Sequence, residues 1–373
     1  MAEKNAAAAA ATTMLSHVNV PAAQTWNYLH INDISFEVPA PTTKGEVLGR
    51  LPRLFDAVEV GIGDEAAQWV VASSGDSRYV EVKAGVKRTD PIVVDVDAQA
   101  GTICDTGVLV REGAEATVVV VAHGKAQADA TSASLLRIVA ERGAHVSLTE
   151  VMALGDTSQH VEGVGIEAGE DALVEVRQYA LGGQKVAMGI CTSLTGRRAR
   201  LIHDMRYLVR GTEQLDVNHL VRQRGRNTRS DITTSGVLAD AAKKTMRETI
   251  DLIHGAKGAA GNELETVLVT GDDIVNKTLP TILCDEDDVQ GNHGASIGSV
   301  SPDQLAYLAD RGISTADAEA LFARAIFDDA AIHAPDELSR AAALARAEEV
   351  LGAEIARDVA EGLGLALNSE EDA

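Results

Sequence analysis

Gly113-Ala114-Glu115-Ala116-Thr117-Val118, Gly143-Ala144-His145-Val146-Ser147-Leu148, Gly169-Glu170-Asp171-Ala172-Leu173-Val174-Glu175-Val176 and Gly196-Arg197-Arg198-Ala199-Arg200-Leu201 begin 30, 26 and 27 residues apart. Each reads as a turn followed by a strand with alternating apolar side chains. A period in this range is what one coil of a β-solenoid needs. The repeats lie in a stretch, Ile92 to Leu279, that contains no proline, although the chain has 8. Proline lacks a ladder donor and is excluded from interior strands, so this Val-rich run predicts continuous sheet. The competing architecture is a β-sandwich with turns about every 8–12 residues, because each interval has room for two or three strands. The solenoid is the favoured reading of the two. Only 3% of residues are aromatic, so the core must be built from Val, Ile, Leu and Ala, which suits narrow stacked β layers.

Outward from this core the pattern changes on both sides. Residues 1–83 read as a partly helical N-terminal extension. Within it, Pro21 to Leu29 suggests an aromatic-anchored turn, and Lys44 to Leu51 a short helix that Pro52 ends. Residues 84–300 form the solenoid, and residues 301–373 a helical domain with an acidic tail. Ser301-Pro302 is a good N-cap and first-turn pair, Gly312 stops that helix, and Ser314 caps the next. A third helix is expected from Asp336 to about Gly362. The ending from Asn368 to Ala373 reads as disordered.

The 373-residue chain carries a formal charge of −23. A field of that sign repels phosphate backbones, which disfavours nucleic-acid binding, and it welcomes cations or a basic protein. Residues 301–373 hold 5 Arg, no Lys and 16 acids, so nearly half of the excess sits in this arm. Cys104, Cys191 and Cys284 are an odd, widely spaced set with no CxxC, neither a disulfide framework nor a zinc ribbon. No segment approaches the roughly 18–20 apolar residues of a membrane span, and the Ala6–Ala11 run lacks a leucine-rich signal core. The expectation is a cytoplasmic protein without membrane or nucleic-acid partners.

Chemistry has few places to reside. There is no P-loop to hold ATP, no H-E-x-x-H and no G-x-G-x-x-G behind a strand, so an enzyme is not expected. The best constellation is Cys284-Asp285-Glu286-Asp287-Asp288 leading to His293, which lies in Gly291-Asn292-His293-Gly294-Ala295-Ser296 and reads as a glycine-rich turn. Thiolate and imidazole are ligands that iron and iron–sulfur clusters accept. The plainer alternative is an acidic turn above a small buried cysteine. His123, His145, His203, His219 and His254 read as surface or satisfied core residues, Cys104 and Cys191 as small apolar fillers.

Several motifs then fall in one order: Thr249-Ile250-Asp251-Leu252 with Gly255-Ala256-Lys257-Gly258, Thr278-Leu279-Pro280, Asp287-Asp288-Val289, His293-Gly294-Ala295, Asp303-Gln304-Leu305, Tyr307-Leu308, Arg311-Gly312-Ile313 and Ala325-Ile326-Phe327. This series resembles the SufB/SufD family of iron–sulfur cluster assembly scaffolds, over roughly Ala84 to Phe327. The resemblance implies a mainly β fold, a right-handed parallel β-helix with flanking helical parts. It also implies a non-enzymatic scaffold of the SUF system, with a SufC-type ABC ATPase docked on the C-terminal helices. Gly294 after the histidine points to a SufD-like member paired with a SufB-type scaffold. The alternative within the family is a homodimeric sole scaffold, a second copy of the chain taking the partner's place. A cysteine desulfurase system would be an indirect partner.

On this resemblance the cofactor is a transient iron–sulfur cluster shared at a dimer interface, with no nucleotide. His293 is its expected ligand, as for iron. Cys284 is a nearby candidate, and Glu265 stands where SufB-type members carry a cysteine. Gln304, Leu305, Tyr307, Leu308, Leu321, Phe322 and Phe327 are the expected ATPase contacts. A β-solenoid carbohydrate-active enzyme is the reading from another class, and the clustered acids it requires on successive coils are not evident.

Overall fold

A computed structural model describes residues 11–21, 31–32, 34–41, 49–125, 131–300 and 302–362. The aromatic-anchored turn, most of the Lys44–Leu51 helix and the acidic tail expected from the sequence lie outside these residues. Two eight-stranded sheets face each other. The first holds β3 (Arg78–Val82), β5 (Ile103–Val110), β7 (Thr131–Ala140), β9 (Gln159–Ala168), β11 (Lys185–Leu194), β13 (Gln214–Gln223), β15 (Lys243–Leu252) and β17 (Val275–Cys284). The second holds β4 (Ile92–Asp97), β6 (Glu115–Gly124), β8 (His145–Leu154), β10 (Leu173–Ala180), β12 (Arg200–Val209), β14 (Arg229–Leu238), β16 (Ala259–Val269) and β18 (Val289–Gly298). Strands within a sheet follow one another in order and pair in parallel. Each coil therefore supplies one strand to each sheet, and the other sheet serves as the crossover a parallel pair requires. The result is a β-solenoid of about seven turns, as the repeat predicts.

The turn positions refine the repeat. Gly113, Gly143, Asp171, Arg198 and Asn227 adopt positive φ of 65, 64, 58, 61 and 58°, at spacings of 30, 28, 27 and 29 residues. In the first two coils the repeat's glycine occupies this left-handed position. In the next two, Gly169 and Gly196 open the turn, and the left-handed residue comes two places later. Arg198 tolerates it while its guanidinium grips Asp171.

Val118, Val120, Leu148, Val174, Val176, Met188 and Val217 belong to the apolar filling between the sheets. Outside the first sheet lie the antiparallel pair β1 (Thr12–Leu15) and β2 (Phe36–Pro39), a 3₁₀ turn Arg53–Ala57 and α1 (Asp64–Ser73). Phe36, Ile62, Trp69 and Val70 pack there on Leu135, Val161 and Ala187. The backbone at Gly61–Ile62 lies directly on Gly189, where an added Cβ would stand 2.4 Å from the Ile62 nitrogen. Arg247, 1% exposed, locks this strap by pairing with Asp216 and donating to the Ile31 carbonyl.

Outside the second sheet sits the arm: α2 (Pro302–Ala309), α3 (Thr315–His333), α4 (Glu337–Leu351) and α5 (Ala353–Gly362). Ser314 and Asp317 form a capping box at α3. The single third helix expected from the sequence is two, because Gly352 takes φ 91° and ends α4. Ile326, Phe327, Ala330, Ala343 and Ala347 pack on Val151, Tyr179, Leu208 and Val237. Arg346, 2% exposed, is the polar bolt of this contact. Its Nε donates to the Leu181 carbonyl at 3.1 Å, and its Nη2 reaches Asp156 at 2.7 Å and Glu213 at 3.1 Å.

Candidate functional site at the open end of the solenoid

β17 pairs only with β15, and β18 only with β16, so both leave a strand edge unpaired among the described residues. His293 lies midway along β18, opposite Glu263, and Ala295 lies opposite Glu265. The glycine-rich turn expected at His293 is thus a strand: parallel pairing with β16 carries the backbone straight through Gly291 and Gly294. On β16 the residues Gly261, Glu263, Glu265 and Val267 are buried, while Asn262, Leu264 and Thr266 are exposed. Partners in a parallel register share a face, so His293 continues the inward row. It is exposed because no further described coil covers it.

Beneath it the interior turns polar. Glu263 is 4% exposed and accepts no hydrogen bond from a protein N–H or hydroxyl; the group it bonds is another acid, Glu248. Burial, then the charge and hydrogen bond of Glu248 and the charge of Glu265, pushes its pKa up to about 10. Glu248 is better served. Burial opposes its ionisation, but the hydrogen bond and charge of His219 (Nδ1, 3.1 Å) and hydrogen bonds with Thr234 (2.6 Å) and Glu263 outweigh this and hold it below the usual range. Deeper still, His203 and His219 bring their Nε2 atoms to the Gln178 carbonyl oxygen at 2.7 and 2.8 Å, and the Gln178 amide donates to Glu150 at 2.6 Å. Glu265 is fully buried. Its carboxylate is ion-paired to Lys244 and accepts from the Tyr207 hydroxyl at 3.2 Å.

Cys284 ends β17, on the other sheet, with its Sγ 3.3 Å from the Glu286 carbonyl. It is exposed, so the alternative of a buried cysteine under an acidic turn does not hold. His293 lies four residues into β18, about 13 Å of strand at roughly 3.3 Å per residue beyond the corner. The final coil thus presents the two at different places, one at the corner and one at mid-strand. Glu286 staples the corner, accepting from the Gly255 N–H at 2.9 Å, which holds its carboxyl below the usual range. Among the described residues no three His, Cys, Asp or Glu side chains are grouped to hold a metal ion.

On the arm, Tyr307, Leu321 and Phe322 are 56, 53 and 43% exposed. Gln304 is also exposed, Leu308 half-buried, and Leu305 lies on α2. Arg311 stacks on the Tyr307 ring at 3.5 Å. Phe327 is different: at 1% exposure it faces the solenoid and fixes the arm. Gly294-Ala295-Ser296-Ile297-Gly298 has the spacing of a nucleophile elbow, but it runs inside β18 and not across a strand-to-helix turn. The inward row of Glu150, Gln178, His203, His219, Glu248 and Glu263 escaped the sequence reading, which took the histidines singly. Its only sequence signal is polar residues at the inward parity of apolar strands.

Fold and site define a class: a parallel β-solenoid with a helical arm on one sheet and an imidazole on a last described coil whose outer edge is free. A sequence model of the family described as "SUF system FeS cluster assembly, SufBD core domain" matches residues 93–326. The chain belongs to the SufBD family of iron–sulfur cluster assembly proteins. It is 36% identical over 97 residues to the iron–sulfur cluster assembly protein SufD of Bacillus subtilis, covering 26% of this chain and 22% of that one. To the SufD of Escherichia coli it is 24% identical over 250 residues, covering 65% and 59%. A SufBD family protein of Synechocystis is 29% identical over 132 residues, covering 35% and 28%. In each case the match spans less than two thirds of the relative's length. No helix among the described residues is long and apolar enough to cross a membrane.

Proposed function

We propose that this chain is a SufD-like scaffold subunit of the SUF machinery with no catalytic turnover of its own. Its last coil pairs with a SufB-type scaffold, and its arm receives a SufC-type ABC ATPase. The observation that carries this reading is the terminal coil. β17 and β18 leave free edges among the described residues, and an open edge is a template for another chain. His293 stands exposed on that coil, where its imidazole can bind iron of a nascent cluster, the cargo of assembly. Cys284, exposed at the corner, is a second soft donor toward the same interface. Glu265 is spent on Lys244 and acts inside. The exposed aromatic and aliphatic side chains Tyr307, Leu321 and Phe322 suit a protein partner, and the missing P-loop is supplied by the ATPase.

The test is anaerobic co-purification with the SufC-type partner, with iron and sulfide analysis of the wild type and His293→Ala. The reading expects the ATPase to co-purify and cluster content to collapse in the variant. ATPase binding with unchanged iron would leave an architectural subunit and remove His293 from the site. No ATPase binding would overturn the proposal. A complex containing two copies of this chain and no SufB-type subunit would identify the sole-scaffold arrangement instead.

A further inference from the structure

We infer that Glu263 and His293 form an imidazole–carboxylate donor pair that takes a divalent transition-metal ion at the mouth of the solenoid. The pair is half a site, completed by solvent or by the partner chain. This deepens the scaffold reading and rests on it for the identity of the ion as ferrous iron. Three acids share this end of the interior, and two are occupied: Glu265 by Lys244 and Tyr207, Glu248 by His219 and Thr234. Glu263 alone has both oxygens buried and no protein N–H or hydroxyl donating to them; it is faced only by the acid Glu248. A buried carboxyl that no N–H or hydroxyl serves, faced only by a second acid, calls for a specific reason. Its in-register neighbour is His293, one strand spacing of about 4.8 Å away, near enough for an imidazole nitrogen and a carboxylate oxygen to meet on one ion. His293 is exposed, so the ion has an entry path. Nitrogen and oxygen donors together suit Fe²⁺ and Co²⁺. A two-donor half-site is also consistent with no three donors being grouped within the described residues. Glu265, the carboxylate the sequence singled out, is displaced from this role by its ion pair.

The experiment is anaerobic titration of the purified full chain with Co²⁺, read by its visible absorption, and then with Fe²⁺. Wild type is compared with Glu263→Gln, His293→Ala, the double variant and Asn262→Ala, whose side chain faces outward next to Glu263. Glu263→Gln and His293→Ala should each weaken Co²⁺ binding at least tenfold, and the double variant little further, because the two donors act on one ion. Asn262→Ala should bind as wild type. Thermal melts guard against misfolding: the Glu263→Gln amide replaces a buried, protonated carboxyl and can still donate to Glu248, so its Tm should hold. Co²⁺ affinity in Glu263→Gln equal to wild type overturns the pair, as does a wild type that binds no Co²⁺. The two proposals fail separately. Should the ATPase co-purify and cluster content depend on His293 while Glu263→Gln is indifferent, the pair falls and the scaffold stands. Should the pair bind Co²⁺ while no ATPase co-purifies, the scaffold falls and the metal site stands.

Discussion

Replacing Arg346 with alanine separates the polar from the apolar hold on the helical arm. Asp156 and Glu349 are more than half exposed, so their pairs with Arg346 contribute little. The weight lies on two buried contacts, the Leu181 carbonyl and Glu213, whose side chain is 6% exposed. Losing the arginine strands a buried carboxylate, which costs about 3–5 kcal/mol. The size of the effect should depend on pH. Burial lifts Glu213 to about 7, against the pull of the Arg210 N–H and of Arg346. A value raised above that of the unfolded chain, about 4.3, means that its favourable contribution is complete below that value. It is lost as pH rises through about 7. At pH 8 the variant leaves Glu213 without its guanidinium, held only by the Arg210 N–H, and should lose about 3–5 kcal/mol of arm stability. At pH 5.5 Glu213 carries a proton, and only the charged hydrogen bond to Leu181 is missing, about 1.5–3 kcal/mol. Hydrogen exchange in α4 and urea unfolding followed at 222 nm report this directly. A loss below about 1 kcal/mol at pH 8, or one identical at both pH values, would refute the reasoning.

Three further outcomes follow from the interior and the thiols. Glu150 and Glu162 are pushed well above the usual range by burial, with the Glu162 charge adding at Glu150. Their stabilising contribution is therefore full below about 4.3 and is lost as pH rises through the folded values. Glu150→Gln should raise Tm at pH 8 and leave it unchanged at pH 4. Lys244→Met strands Glu265 and should cost about 3–5 kcal/mol in urea unfolding, most of it recovered in Lys244→Met/Glu265→Leu. A maleimide should label the folded chain once, at exposed Cys284. Burial, then the Glu162 charge, pushes the Cys104 thiol up to about 12, and burial also raises Cys191, so two or three labels before denaturation would contradict the packing.

The solenoid was legible because its cause is local and repeated. Missing prolines, alternating valines and a turn every coil are written in consecutive residues, and the helical arm announced itself through Ser301-Pro302, Gly312 and Ser314. What was hidden depends on stacking. Whether Gly291–Ser296 bends or runs straight is decided by its pairing with β16, some thirty residues earlier. The occupancy of Glu265 is set by Lys244, on the opposite sheet. Phe327 sits in the same apolar helix pattern as Leu321 and Phe322, yet it faces inward because Tyr179 and Leu208 lie beneath it. A single chain's pattern gives parity along a strand; it does not give the neighbour across the coil.

The strict stacking of strands has a mechanical consequence. The arm is bonded to β10 through Tyr179 and Asp329 at 2.8 Å, and His293 rides on β18, four strand steps along the same sheet. At about 4.8 Å per step, that is roughly 19 Å of hydrogen-bonded lattice whose length is counted in coils. Such a lattice resists stretching and has no hinge between its ends, so it works as a gauge block. A push on the arm arrives at the terminal coil as rotation or translation of the whole body, and one coil more or fewer would reset the reach by a single fixed increment.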